Sequence, residues 1–161
     1  MEEIRVNRLP AITWRYLHVN DSPDKFEFPG NSASAVFSDK QYVSEGGTLP
    51  ADFRGASAET LAAAEKGQAY TVIIPEKTEA ELTISITAEE DRPDFAGCFI
   101  FKLEKDAKLN LIWRLSGDRK HSVFATASFY ELMKNAALSV SYLETGLPAS
   151  SLYEQRYAVL G

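Results

Sequence analysis

Seventeen residues from Phe101, FKLEKDAKLNLIWRLSG, lie without a gap over YELMKNAALSVSYLETG from Tyr130, an offset of 29 residues. Leu103 meets Leu132, Lys105 meets Lys134, Asp106 meets Asn135, Ala107 meets Ala136, Leu109 meets Leu138 and Trp113 meets Tyr142. Upstream, EKTEAELTISI reads as a weaker third copy, with Ala80 and Leu82 in the Ala and Leu positions at an offset of 27. Each copy runs strand, polar pair, Ala, strand. Asp and Asn enter the left-handed region and satisfy nearby amides, so the polar pair suits a bent corner. A small Ala then lets the chain turn inward. A unit that cannot close a core alone obtains one by stacking on its neighbours, which is the logic of a solenoid. The expected fold is therefore mainly β, a parallel β-helix. Ala80, Ala107 and Ala136 are expected at corners, with Leu82, Leu109, Leu111, Leu138 and Val140 inside and Trp113 and Tyr142 at equivalent strand positions. Two similar hairpins in a β-sandwich or jelly roll are the alternative.

The periodicity supports a β second half. In AELTISIT, Leu82, Ile84 and Ile86 alternate with Thr83, Ser85 and Thr87, the pattern of a strand with one buried face. Leu109, Leu111 and Trp113 repeat it, as do Leu138, Val140 and Tyr142. AEEDRPD, SGDRKHS and ETGLPASS break the strands. Ahead of these, GASAETLAAAEKG predicts one short helix: Ser57 caps it, Glu59 suits its positive end, Ala62 to Ala64 favour it and Gly67 stops it. The opening mixes Trp14, Tyr16, Phe26 and Phe28 with Pro10, Pro23, Pro29 and Gly30, which reads as an extended arm pinned by its aromatics. One compact domain is expected, with residues 1–69 as arm and helical region and residues 70–161 as the repeat region.

Charge and composition narrow the function classes. A net charge of −6 disfavours a nucleic-acid backbone or an anionic membrane as partner. No apolar run approaches the roughly 18 residues needed to span a bilayer. The single cysteine, Cys98, has no internal disulfide partner, and no signal segment opens the chain, so a reducing, cytoplasmic setting is expected. Cys98 stands among apolar residues in FAGCFIF, a context that suits an inert buried thiol. His18 and His121 are far apart, which makes a poor metal set, and His121 reads as a loop residue. EEDRPD, Glu89 to Asp94, has clustered oxygens but lacks the Gly and spacing of a calcium loop, so a solvated loop is expected. There is no G-x-S-x-G elbow and no Gly-rich phosphate loop. No catalytic constellation, bound cofactor or metal site is read from the residues, and no enzyme activity is expected.

FKLEKDAKLNLIW and, about thirty residues later, YELMKNAALSVSYLE resemble the β-helical core of the SufB/SufD family of iron–sulfur cluster assembly proteins. NRLPAITWRYLHVND, Asn7 to Asp21, resembles the opening of short SufD-like chains. The resemblance implies a right-handed parallel β-helix, a homo- or heterodimer, and partnership with a SufC-type ATPase or a SufB-like scaffold. It also implies transient contact with an iron–sulfur cluster, although the family's cluster-related cysteine and histidine have no counterpart here. Family chains are longer and dock the ATPase through a helical C-terminal region. SLYEQRYAVLG places Val159 at the Leu132 position, so the resemblance implies either a truncated form or a last coil completed by another chain.

The function expected from sequence is thus a SufD-like scaffold or accessory protein acting through protein–protein contacts. The alternative is a β-sandwich that binds a small molecule or carbohydrate in a cleft lined by Trp14, Trp113 or Tyr142. Core packing is the ordinary role of such aromatics.

Overall fold

The structure is a computed structural model that describes residues 2–6, 22–28, 30–53, 57–117, 122–147 and 150–161. Trp14, Tyr16, His18, His121 and the whole Asn7 to Asp21 segment lie outside the described residues. Strands β1 (Glu2–Val6) and β2 (Ser22–Phe26) pair as an antiparallel ribbon. Two short strands follow, β3 (Ala35–Phe37) and β4 (Val43–Glu45), then helix α1 (Ala58–Lys66). Seven strands complete the chain: β5 (Gln68–Ile74), β6 (Glu79–Ala88), β7 (Phe95–Leu103), β8 (Lys108–Gly117), β9 (Val123–Leu132), β10 (Ala137–Thr145) and β11 (Ser151–Leu160).

Successive pairs β5–β6, β7–β8 and β9–β10 form three coils, and β11 begins a fourth. One side of the stack is the sheet β11-β9-β7-β5-β4 and the other is β10-β8-β6-β3. All pairings between coils are parallel. The fold is therefore a parallel β-solenoid. Parallel coils exclude the sandwich and jelly roll, whose strands pair antiparallel.

The two strong copies stack in the register their sequences require: Phe101 lies opposite Tyr130, Leu109 opposite Leu138 and Trp113 opposite Tyr142. The third copy is displaced from its expected place. Ala80 lies opposite Leu109 and Leu82 opposite Leu111, so the offset is 29, as in the other coils, and Ala80 is a strand residue. The corner needs a left-handed residue, and Lys77, Asp106 and Asn135 supply it with φ of 58°, 60° and 60°. Thr78 therefore occupies the position of Ala107 and Ala136. Each corner closes with the same turn: Thr78 donates to the Pro75 carbonyl at 3.2 Å, Ala107 to Glu104 at 3.0 Å and Ala136 to Met133 at 2.9 Å. The Asn135 amide also donates to Asp106 Oδ1 at 2.9 Å, tying one corner to the next.

The end of the chain shifts as well. Ser116 pairs with Thr145, but Val123 pairs with Ser151, so the corner before β11 is one residue shorter than the corner before β9. Leu160, and not Val159, consequently faces Leu132.

The core lies between the sheets. Leu82, Ile84, Ile86, Leu109, Leu111, Trp113 and Leu115 meet Val72, Ile74, Phe99, Phe101, Phe124 and Tyr130, all buried. Each fully buried large side chain contributes roughly 1.5–3 kcal/mol of transfer free energy. The sheet holding β7 and β9 is buried on both faces, so Phe95 to Phe101 and Phe124 to Tyr130 are continuous buried runs. Its outer face is covered by α1. Ser57 Oγ accepts from the Thr60 amide at 3.1 Å, and Gly67 closes the other end on the Ala64 carbonyl at 3.1 Å. Helix and sheet approach closely because Ala63 and Ala64 meet Ala96, Ala125 and Ala127. Gly67 is part of that approach: a Cβ there would sit 2.1 Å from the Ala96 carbonyl oxygen.

The two ends of the stack differ. At the N-terminal end β3 lies antiparallel on β6 and β4 antiparallel on β5, closing both sheets with short strands. At the other end β10 and β11 are the edge strands of their sheets.

Candidate functional site at the open end of the solenoid

Most residues singled out from sequence take structural places. Ala107, Leu82, Leu109, Leu111 and Trp113 are buried in the main core, while Ala80, Ala136, Leu138, Val140 and Tyr142 are partly buried against it. Cys98 is buried on the outer face of β7 with Ala64, Ile100 and Ala127. Burial, with a smaller contribution from Glu65, pushes its thiol up to about 12, so it is protonated at neutral pH. In the Glu89–Asp94 corner, Glu89 and Arg92 bond each other's backbone at 3.1 Å. Asp94 is buried, accepts from the Val123 amide at 2.9 Å, and offers its carbonyl to Ser32 and Ala33, so it ties the corner to its neighbours. Among the described residues no three His, Cys, Asp or Glu side chains converge as a metal set. No helix among the described residues is long and apolar enough to cross a membrane.

A shallow groove of about 560 Å³ crosses the outer face of β6, β8 and β10. Four of its polar side chains already pair, Lys108 with Glu79 at 3.5 Å and Asn110 with Glu81 at 3.0 Å. Trp113 and Tyr142 do not line it.

The most distinctive chemistry lies elsewhere, in the interior rows that lead to the open end. Gly97 of β7 stacks under Thr126 of β9 and then Glu154 of β11. Beside it Phe99 gives way to Ser128 and then Arg156. The interior thus passes from apolar to hydroxyl to charged within three coils. Across the core, Tyr142 on β10 stacks on Trp113 of the coil below, with ring centroids 5.9 Å apart and planes 9° from parallel. The Tyr142 hydroxyl donates to Glu154 Oε1, and Arg156 donates to Glu154 Oε2 at 2.5 Å. The Arg156 guanidinium also lies 4.3 Å from the centre of the Tyr142 ring, a cation–π contact.

The electrostatics follow from this packing. The Glu154 side chain is 14% exposed and its partner Arg156 46% exposed, so the carboxylate is inside and the guanidinium reaches the rim. The bond to Glu154 holds the Arg156 proton more tightly than usual. Beneath the pair, burial pushes the Tyr130 phenol up to about 12; Ser128 opposes that shift and Glu154 adds to it. Glu154, Arg156 and Tyr142 thus form a mutually paired charged cluster at the end of the stack. Around it Leu138 and Val140 are half-buried, and Leu143, Leu152 and Leu160 are exposed.

Sequence reasoning passed over Glu154 and Arg156. The available signal was the break in alternation at YEQRY, where a polar pair occupies inward positions that carry Phe, Thr or Ser in earlier coils. No family model matches the chain, nor does any curated protein or solved structure.

Proposed function

We propose that the chain is a scaffold that works through protein–protein contact at the end of the solenoid formed by β10 and β11. The difference between the two ends carries this reading: short antiparallel strands close one, and two edge strands with half-buried apolar side chains and a charged cluster form the other. Among the described residues no strand lies on these two edges, and such edges beside exposed leucines are a template for another chain.

Within that reading, resemblance of the repeat and of the Asn7 to Asp21 segment to the SufB/SufD family supports a SufD-like accessory role in iron–sulfur cluster assembly. The partners are then a SufC-type ATPase and a SufB-like scaffold, and any cluster is cargo at a shared surface. Cys98 is not offered as its ligand, since the thiol is buried and protonated. The test is co-purification of the tagged chain with a SufC-type ATPase from the same cells. Recovery of the ATPase with the wild-type chain and its loss with the Leu160→Asp variant is the expected result. Absence of the ATPase from both would overturn the assembly role.

A further inference from the structure

We propose that the interior of the third coil is a binding site for one water molecule, held between Trp113 Nε1, Ser128 Oγ and the Tyr130 hydroxyl. The site lies inside the core and is independent of what meets β10 and β11.

Three observations carry it. The first is a set of polar atoms without protein partners. Trp113, Ser128 and Tyr130 are 1%, 0% and 3% exposed, and neither the indole nitrogen nor either hydroxyl has a hydrogen-bond partner among the described residues. Buried polar groups are nearly always paired, so three at one place point to a ligand. The second is that the three face one another. Ser128 and Tyr130 stand two residues apart on β9 and turn to the same inner side. The Tyr130 ring stacks on Phe101 at 5.0 Å and the Trp113 ring meets Phe99 edge-on at 4.7 Å, while Phe99 and Phe101 stack at 6.4 Å, so both polar rings border one aromatic floor. Burial raises the Tyr130 phenol, and Ser128 and, more weakly, the Trp113 indole oppose the rise, as groups beside its oxygen would. The third is shape. Ser128 lies directly over Phe99, and where the second coil carries a phenyl ring the third carries only a hydroxymethyl group. That exchange makes room for a water, whose share of liquid volume is roughly 30 Å³.

The donors and acceptors select the ligand. An indole N–H only donates, so the bound atom must accept, and a cation is excluded. Glu154 adds to the rise of the Tyr130 phenol more than Arg156 offsets it, so the local field is negative and disfavours an anion. The two hydroxyls donate or accept, which suits a neutral molecule that does both. Water accepts from Trp113 and donates to Ser128 and Tyr130, the three contacts usual for a buried water. Arg156 continues the Ser128 row above it, and Tyr142 stacks on Trp113, so the site is roofed by the next coil.

The experiment is a crystal structure of the wild-type chain, read together with oxygen-17 relaxation dispersion of water in solution. The expected density is one ordered oxygen at about 2.7–3.2 Å from Trp113 Nε1, Ser128 Oγ and Tyr130 Oη. Ser128→Val puts a methyl group in its place, and the dispersion amplitude should then fall by the contribution of one long-lived water relative to wild type. Far-ultraviolet circular dichroism establishes that the variant is folded. A direct Trp113–Tyr130 hydrogen bond with no density between the three atoms would overturn the inference. So would density for an ion or a larger molecule, or equal dispersion amplitudes in wild type and folded Ser128→Val. The wild-type crystal structure decides the matter even if Ser128→Val does not fold.

Discussion

Trp113 and Tyr142, one coil apart, stack with their planes 9° from parallel, and the Tyr142 hydroxyl then reaches Glu154 on the opposite sheet. A residue of the buried core is thus linked by one ring to the charged pair at the open end. Trp113→Ala should destabilise the protein by about 3–5 kcal/mol, the usual cost of emptying a large aromatic site. Tyr142→Phe keeps the stack and removes one hydrogen bond to a carboxylate, costing about 1.5–3 kcal/mol. Urea midpoints for the two variants measure the contrast; equal losses would mean that the ring does not pack as described.

The corners give predictions of opposite sign. Lys77 pays the steric cost of a left-handed backbone without the local hydrogen bonding available to Asp or Asn. Lys77→Gly should therefore stabilise by about 0.5–1 kcal/mol after the entropy of glycine is subtracted. Ala107 is fully buried beside the same kind of turn, and Ala107→Leu should destabilise by about 1–3 kcal/mol through overpacking. Thermal melts follow both changes, and an unchanged midpoint for Ala107→Leu would count against the corner assignment.

These corners also show how far the sequence could be read. The gapless match of Asp106-Ala107 to Asn135-Ala136 located two coils and their period, because both copies use residues that tolerate the left-handed turn. The earlier coil turns at Lys77, which carries no such signature, and the chance likeness of Ala80-x-Leu82 to Ala107-x-Leu109 pulled its register by two residues. Strands β3 and β4 were illegible because three-residue strands make no periodic pattern and are fixed by their pairing on β6 and β5. Glu154 and Arg156 were missed because isolated charges read as surface until the stacking places them over Thr126 and Ser128.

Stability should fall in alkali. The Cys98 thiol rises from 9.0 to about 12 in the folded protein, and the Tyr130 phenol from 10.0 to about 12, chiefly through burial. Above pH 9 the unfolded chain loses these protons first. The stabilisation is therefore complete below that pH and is lost as pH rises towards about 12. Urea midpoints at pH 8, 10 and 11 measure the decline. Cys98→Ala should remove the portion that begins near 9 and leave the portion that begins near 10. At pH 8 the native thiol should resist alkylation until the protein unfolds.

Amide hydrogen exchange along β11 tests the contact role of the open end most directly. In the material isolated with its partners from the cells that make it, the amides of Leu152, Glu154, Arg156 and Ala158 should exchange at least about tenfold more slowly than in the chain at high dilution, because a paired edge is protected. The amides of Tyr153, Gln155 and Tyr157, which already point towards β9, serve as the internal reference and should change little. Equal exchange of the edge amides in the two samples would contradict the account.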